Sequence, residues 1–151
     1  MPIAFESPNQ AEVLSLIAEL DAYQNSLYPP ESVYALDLSS VAEGHILLAV
    51  ARDDAAHAIG CGAVVLHPAF GELKRMYVRP QNRGQGVAKQ ILAVLECEAA
   101  KSGCRLLKLE TGPRQAEALG LYALCGYERR GPFGQYSDDP LSVFMQKHIA
   151  G

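Results

Sequence analysis

Leu73-Lys74-Arg75-Met76-Tyr77-Val78-Arg79-Pro80-Gln81-Asn82-Arg83-Gly84-Gln85-Gly86-Val87-Ala88, continuing as Lys89-Gln90-Ile91-Leu92-Ala93-Val94-Leu95, decides how this chain folds and what it can hold. The alternating character from Leu73 to Val78 predicts a strand, and Pro80 ends it because proline has no N–H for the ladder. A turn bearing Gly84 and Gly86 then runs straight into an amphipathic helix with the inner stripe Ala88, Ile91, Leu92, Leu95 and Ala99. The first N–H groups of a helix have no intrahelical partners, and the helix dipole adds positive potential at the same end. Glycine, lacking a Cβ, lets a ligand come close to the main chain. No acidic residue occurs from 73 to 95, whereas Lys74, Arg75, Arg79, Arg83 and Lys89 do. Such a turn suits phosphate.

Three phosphate-binding turns compete for this stretch. A Walker loop requires a Gly-Lys-Ser/Thr string, which the chain lacks. A dinucleotide fingerprint requires a glycine three residues after Gly86, where Lys89 stands. The stretch resembles instead the Arg/Gln-x-x-Gly-x-Gly/Ala signature of the GNAT acetyltransferase superfamily. Arg83, Gly86 and Ala88 take its three named positions, and Val78-x-Pro80 precedes them. A register shifted to Gln81-x-x-Gly84-x-Gly86 fits as well. In that family the turn holds the pyrophosphate of coenzyme A. The resemblance therefore implies acetyl-CoA as cosubstrate, bound by Arg83, Gly84, Gln85, Gly86, Val87 and Ala88. The plainer alternative is an ordinary strand-to-helix turn that the glycines ease round.

Residues 106–128 supply a second motif. An apolar strand ends in Leu109-Glu110-Thr111-Gly112, and a helix follows with Ala118, Leu119, Tyr122 and Cys125 at three-and-four spacing. Gly126 is placed to end that helix, and Tyr127 follows it. The superfamily pattern reads Leu-x-Thr, then a helix with Asn-x-x-Ala-x-x-Leu-Tyr, then Gly-Phe/Tyr. Ala118, Leu121-Tyr122 and Gly126-Tyr127 match it, and Gln115 stands where Asn is usual. Pro29-Pro30-Glu31-Ser32, Leu109 to Gly112 and Gly131 to Met145 are also similar to a bacterial, YsnE-like subgroup of small-molecule acetyltransferases.

Composition narrows the function classes. The chain has 151 residues, 49% of them hydrophobic, which predicts one folded domain over 1–151 with a sizeable core. Its net charge of −4 disfavours nucleic acid, which calls for a dominant basic surface. The apolar runs are too short to span a bilayer, and the first residues lack a secretory pattern, so a cytoplasmic protein is expected. Cys61, Cys97, Cys104 and Cys125 show neither Cys-x-x-Cys spacing nor a ligand-like grouping with histidine, so no metal is expected. They read as small buried residues in a reducing compartment. Nine of the 17 acidic residues precede Ala55, against one base, Arg52. Those carboxylates either decorate solvated helix faces or attract a cationic amine.

Along the chain, the pattern predicts a short strand at 3–6 and a helix over 10–27. A second short helix is expected at 31–38, then strands at 45–52, 58–66 and 71–78. The helix after the glycine turn, a strand at 105–111, a helix at 115–125 and strands near 127–131 and 141–148 follow. The order β-α-α-β-β-β-α-β-α-β-β is that of the GNAT acyl-CoA N-acyltransferase fold. The resemblance implies an α/β architecture, with a mostly antiparallel mixed sheet flanked by helices. It also implies a V-shaped splay between strands 71–78 and 105–111 that takes the pantetheine arm.

Acetyl transfer to an amine has three requirements: the ammonium must lose a proton, the carbonyl oxygen must be stabilised, and the leaving thiolate benefits from a proton. The resemblance implies Glu72 for the first, directly or through water. The alternatives for Glu72 are an exposed strand-start carboxylate or an ion-pair partner of Arg75. Backbone N–H groups around Met76 and Tyr77 are implied for the second, with Val78 alongside the cofactor arm. Tyr122 is implied as the acid for the third, and its stripe position allows a packing role instead. The acceptor is expected between the N-terminal helices and the last hairpin, lined by Tyr28, Glu31, Ser32, Tyr136, Asp138 and Asp139. A small-molecule amine is the expected partner. Acetylation of a protein or peptide, or acyl-CoA sensing without catalysis, are the alternatives. Homodimers are common in the superfamily, and the sequence leaves the oligomeric state open.

Overall fold

A computed structural model describes residues 2–34, 37, 38, 41 and 44–149. Seven strands form one sheet: β1 (Ile3–Phe5), β2 (Ile46–Arg52), β3 (Ala58–Leu66), β4 (Gly71–Val78), β5 (Leu106–Thr111), β6 (Glu128–Arg130) and β7 (Val143–His148). Their spatial order is β1-β2-β3-β4-β5-β7-β6. Among the described residues only β4 and β5 pair in parallel. That pair requires a crossover, which α2 (Val87–Lys101) provides; α1 (Ala11–Leu27) follows β1 and α3 (Ala116–Leu124) follows β5.

Period-two alternation distributes the core over both faces of the sheet. Leu48 and Val50 of β2 pack with Val13, Leu16 and Leu20 of α1, while Ala49 and Ala51 join Ile91, Leu92 and Leu95 of α2. Gly60 and Gly62 let α2 lie close to β3. A Cβ on Gly62 would stand 2.3 Å from Met76 Sδ and 3.0 Å from Ile91 Cγ2.

The alternation in β4 is broken. Cys61 pairs with Tyr77 and Ala63 with Lys74, so Gly62 alone faces both Arg75 and Met76 in a β-bulge. Arg75 takes φ +58, a left-handed value rare for a residue with a long side chain. The extra residue flips the parity, and Leu73, Met76 and Val78 all pack with the α2 core while Tyr77 joins the α1 core.

Most expected elements form within a residue or two of their expected ends. The helix expected at 31–38 does not. Pro30–Ser32 makes one 3-10 turn, and Val33 is already extended. Long-range bonds hold this segment: Ser32 Oγ donates to Asp139 at 2.8 Å, and the Tyr34 hydroxyl donates to the same oxygen at 3.1 Å. The rest of that expectation falls partly on residues 35 and 36, which lie outside the described residues.

Candidate active site

β4 and β5 are paired only from Gly71–Leu73 to Leu107–Leu109. Beyond Leu73 this pairing ends, and a cleft of about 440 Å³ opens between β4 and the α3 segment that follows β5. Its walls are Met76, Tyr77 and Val78 of β4, residues Asn82 to Gly84 and Gly86 to Lys89 of the turn, and Gln115, Glu117, Ala118, Leu121 and Tyr122 of the α3 side. Leu20 and Tyr23 of α1 close one end. Of the residues expected to hold a cofactor, all but Gln85 line it; Gln85 is exposed.

The turn is built for an anion. Gly84 and Gly86 both take φ +78, and Gly86 is the N-cap of α2. No side chain caps the helix, its first turn carries no acid, and its first internal bond is Gln90 N–H to the Gly86 carbonyl at 3.0 Å. The N–H groups of Val87, Ala88 and Lys89 thus lack intrahelical acceptors, at the positive end of the dipole. A Cβ on Gly84 would meet nothing within 4 Å, so the glycine serves conformation and leaves the space above it open. These features fit the diphosphate of coenzyme A.

Arg83 contributes less charge to the cradle than its position in the motif implies. Its Nε donates to the Val78 carbonyl at 2.8 Å, and the guanidinium lies over the Tyr23 and Tyr77 rings. This clamps the turn against β4 and α1. The Gln115 amide oxygen accepts the Gly112 N–H at 3.2 Å, bracing the strand end while the residue lines the cleft.

Tyr122 lies deep in the cleft, 6% exposed, with its ring edge-on to Tyr127 at 5.7 Å. Burial, with a smaller contribution from Cys125, raises its phenol well above the ordinary value, which keeps the hydroxyl protonated. Tyr122 thus packs with the core and also lines the cleft.

Glu72 occupies a different environment. It lines neither the cleft nor the two smaller cavities beside it. Its Oε2 accepts the Tyr136 hydroxyl at 2.5 Å, Lys74 Nζ lies 3.4 Å away and His67 Nε2 lies 3.8 Å from Oε1. Lys74 also donates to the Tyr136 oxygen at 2.6 Å. Arg75 pairs with Asp21 at 2.6 Å.

A smaller, polar cavity of about 70 Å³ continues the cleft past the splay. It shares Leu20, Met76, Gln115, Ala118 and Tyr122 with the cleft and adds Tyr34, Lys74, Arg75, Glu110 and Thr111. Of the expected acceptor residues, Tyr28 and Ser32 line an adjoining pocket that also includes Glu110. The Tyr28 hydroxyl accepts the Arg114 N–H at 3.0 Å. Tyr136 stands behind, bonded to Glu72 and Lys74, while Glu31 and Asp138 are exposed and line none of these cavities. Sequence reasoning missed Glu110, although the Leu109-Glu110-Thr111-Gly112 string placed a carboxylate between apolar strand residues.

Four of the nine early acidic residues are ion-paired and line none of these three cavities. Glu6 and Glu12 bind Arg52, Glu19 accepts the Tyr77 hydroxyl and pairs with Arg79, and Asp21 holds Arg75. Burial pushes the Cys61 thiol up to about 12, an inert structural cysteine. Among the described residues no group of three or more His, Cys, Asp or Glu side chains could hold a metal ion, and no helix is long and apolar enough to cross a membrane.

Comparison with known proteins agrees with this geometry. Residues 43–129 match the model of the acetyltransferase (GNAT) domain. The chain belongs to the GNAT acetyltransferase family. It is 46% identical over 149 residues to an IAA acetyltransferase of Azospirillum brasilense, covering 97% of each chain. It is 36% identical to the N-acetyltransferase YsnE of Bacillus subtilis, covering 99% of this chain and 100% of that one. A solved structure from Klebsiella pneumoniae, named as an acyl-CoA N-acyltransferase, superimposes with a TM-score of 0.89 at 42% identity, covering 98% and 97% of the two chains. This GNAT chain is an acetyl-CoA-dependent N-acyltransferase.

Proposed function

We propose that this acetyltransferase modifies a primary amine of a small molecule, which attacks directly in a ternary complex. The observation that carries this is the continuity of the two cavities: the cradle and cleft take the cosubstrate from one side of the splay, and a confined polar space meets them from the other. About 70 Å³ accommodates a few water-sized groups, the reactive end of a small acceptor and little more. Shorter matches to an aminoglycoside N(6')-acetyltransferase and an aminoalkylphosphonate N-acetyltransferase support a small amine.

Acetyl-CoA supplies an activated acyl group as a thioester. The residues of this chain supply placement and protons. Val87, Ala88 and Lys89 N–H groups and the α2 dipole anchor the diphosphate. The edge of β4 past Leu73, bent by the bulge at Arg75 and Met76, presents backbone donors to the carbonyl oxygen. Tyr122, protonated at neutral pH, donates to the departing sulfur.

The test is a panel of small amines and peptides at saturating acetyl-CoA with thiol detection. Turnover of small amines with sequential kinetics is expected. Peptide turnover with rejection of every small amine would overturn the substrate class, and tight coenzyme A binding without thiol release from any acceptor would point to a sensor.

A further inference from the structure

The first chemical requirement, removal of the ammonium proton, has no buried agent in the cleft: Glu72 lies outside it in a bonded group with Tyr136 and Lys74, and Glu117, the carboxylate in its lining, is exposed at the first turn of α3. The small cavity contains one carboxylate among its lining residues, Glu110. On β5, Leu107, Leu109 and Thr111 are buried on one face, and Glu110 emerges on the other, one residue past the last position paired with β4, where the splay begins. Ser142 Oγ donates to its Oε2 at 2.8 Å, which orients the carboxylate. The same cavity is lined by Met76, whose strand offers the carbonyl donors, and by Tyr122, the acid. Glu110 also lines the adjoining pocket with Tyr28, Ser32 and Tyr34, so it stands between the two polar spaces.

From this juxtaposition we infer that Glu110 binds the acceptor's ammonium group and takes its proton. The inference rests on the proposed amine acetylation. The ammonium gives one proton to the Glu110 carboxylate. The freed nitrogen lone pair forms the C–N bond to the acetyl carbon, and the C–S bond breaks with its electron pair on sulfur. The Tyr122 hydroxyl protonates that sulfur and recovers a proton from the new amide nitrogen. Glu110 releases its proton to water, so one proton leaves for each amide formed.

The electrostatics favour this role. Burial raises the Glu110 carboxyl above its ordinary value; the Ser142 hydrogen bond and Lys74 oppose the rise, and Glu72 and Asp139 reinforce it. Arg75 and the phenols of Tyr28, Tyr34 and Tyr122 complete the titratable surroundings in the cavity walls. A more basic carboxylate is a better match for an amine. The stability sign follows: with the folded value above the unfolded one, the favourable contribution is full below the unfolded value and is lost as pH rises through the folded one. Removing the charge by Glu110→Gln therefore leaves the midpoint at neutral pH unchanged or higher.

The experiment compares wild type, Glu110→Gln and Glu110→Asp with whichever acceptor turns over fastest in the panel. Wild-type kcat/KM for the acceptor should rise with pH through an apparent value above that of ordinary glutamate. Glu110→Gln should lose this limb and about 100-fold or more in rate, while coenzyme A affinity by calorimetry is unchanged. Glu110→Asp should keep the limb at a reduced rate. A carboxyl ¹³C resonance titrating above the ordinary range in the unliganded protein, absent from Glu110→Gln, provides a readout independent of turnover. Retention of the limb in Glu110→Gln, or its loss in Glu72→Gln, would overturn the assignment. So would a fall of several degrees in the midpoint accompanied by loss of coenzyme A binding. A peptide as the preferred acceptor refutes the small-molecule reading and leaves the Glu110 result to stand or fall separately.

Discussion

Replacing Gly86 with alanine isolates what the cradle's backbone conformation contributes. The added Cβ would find only Gln90 Nε2, at 4.0 Å, so the substitution introduces no overlap. The whole cost comes from φ +78, at which an L-residue is disfavoured by about 1–2 kcal/mol. At 1.36 kcal/mol per tenfold change, that is roughly 5- to 30-fold in an equilibrium constant. If the turn keeps its shape, the cost falls on folding, and the midpoint drops by about 2–8 °C for a chain of this size. If the turn relaxes, the N–H groups of Val87, Ala88 and Lys89 rotate away from the diphosphate, and coenzyme A affinity falls by the same factor. Gly103→Ala is the control, since Gly103 has φ +90, nothing within 4 Å of an added Cβ, and no place in the cleft. It should lose stability alone. Calorimetry with coenzyme A and thermal melts separate the two. An affinity within about twofold together with a midpoint within about 1 °C would refute the requirement for a left-handed residue at Gly86. An equal affinity loss in Gly103→Ala would refute its local nature.

Tyr122→Phe should lower turnover by about 100-fold or more while leaving coenzyme A affinity intact; equal losses in stopped assays and calorimetry would make Tyr122 a packing residue. Gly62→Ala places a Cβ 2.3 Å from Met76 Sδ and close to Ile91 and Leu95, so overpacking of about 1–3 kcal/mol should lower the midpoint and turnover together. An unchanged melt and rate would show that the bulge is not braced against α2 there. The Arg52 hydrogen bond is the leading cause holding the Glu6 carboxyl below its ordinary value, so this pairing stabilises the fold above the unfolded carboxylate value, about 4.3, and is lost as pH falls through the lower folded value. Arg52→Met should therefore flatten the loss of stability on acidification, measured by urea melts across that range. A slope unchanged from wild type would refute the pairing's contribution.

Elements were legible where a local period decides them. The α2 stripe reads off at three-and-four spacing, and Ile91, Leu92, Leu95 and Ala99 are all buried. The glycine turn was equally plain, because a left-handed N-cap favours glycine. Legibility failed where distant residues decide. The bulge at Arg75 carries no glycine or asparagine to announce it. What permits it is Gly62 on the neighbouring strand and the Arg75–Asp21 pair to α1. The segment after Pro30 looked helical by pattern, yet its Ser32 and Tyr34 are bonded to Asp139, more than a hundred residues later. Glu72 occupied the expected offset, but the Tyr136 hydroxyl, reaching it from the loop before β7, engages it outside the cleft.

The splay and the bulge form one device. A parallel pair that ends after three residues leaves a strand edge unpaired inside the protein, which is unfavourable unless other groups satisfy it. In this fold the open edge faces a cleft that an amide-bearing cosubstrate arm can enter, so the unmet hydrogen bonds become binding capacity. The bulge then sets direction. With regular pairing, Leu73, Arg75 and Tyr77 would share a face; the inserted residue instead turns Met76 and Val78 toward α2, on whose N-terminus the cradle sits, and sends Tyr77 toward α1. Tyr77 there supports Arg83, which holds the glycine turn. The geometry of the cradle therefore depends on a backbone irregularity in β4 as much as on the motif that advertises it.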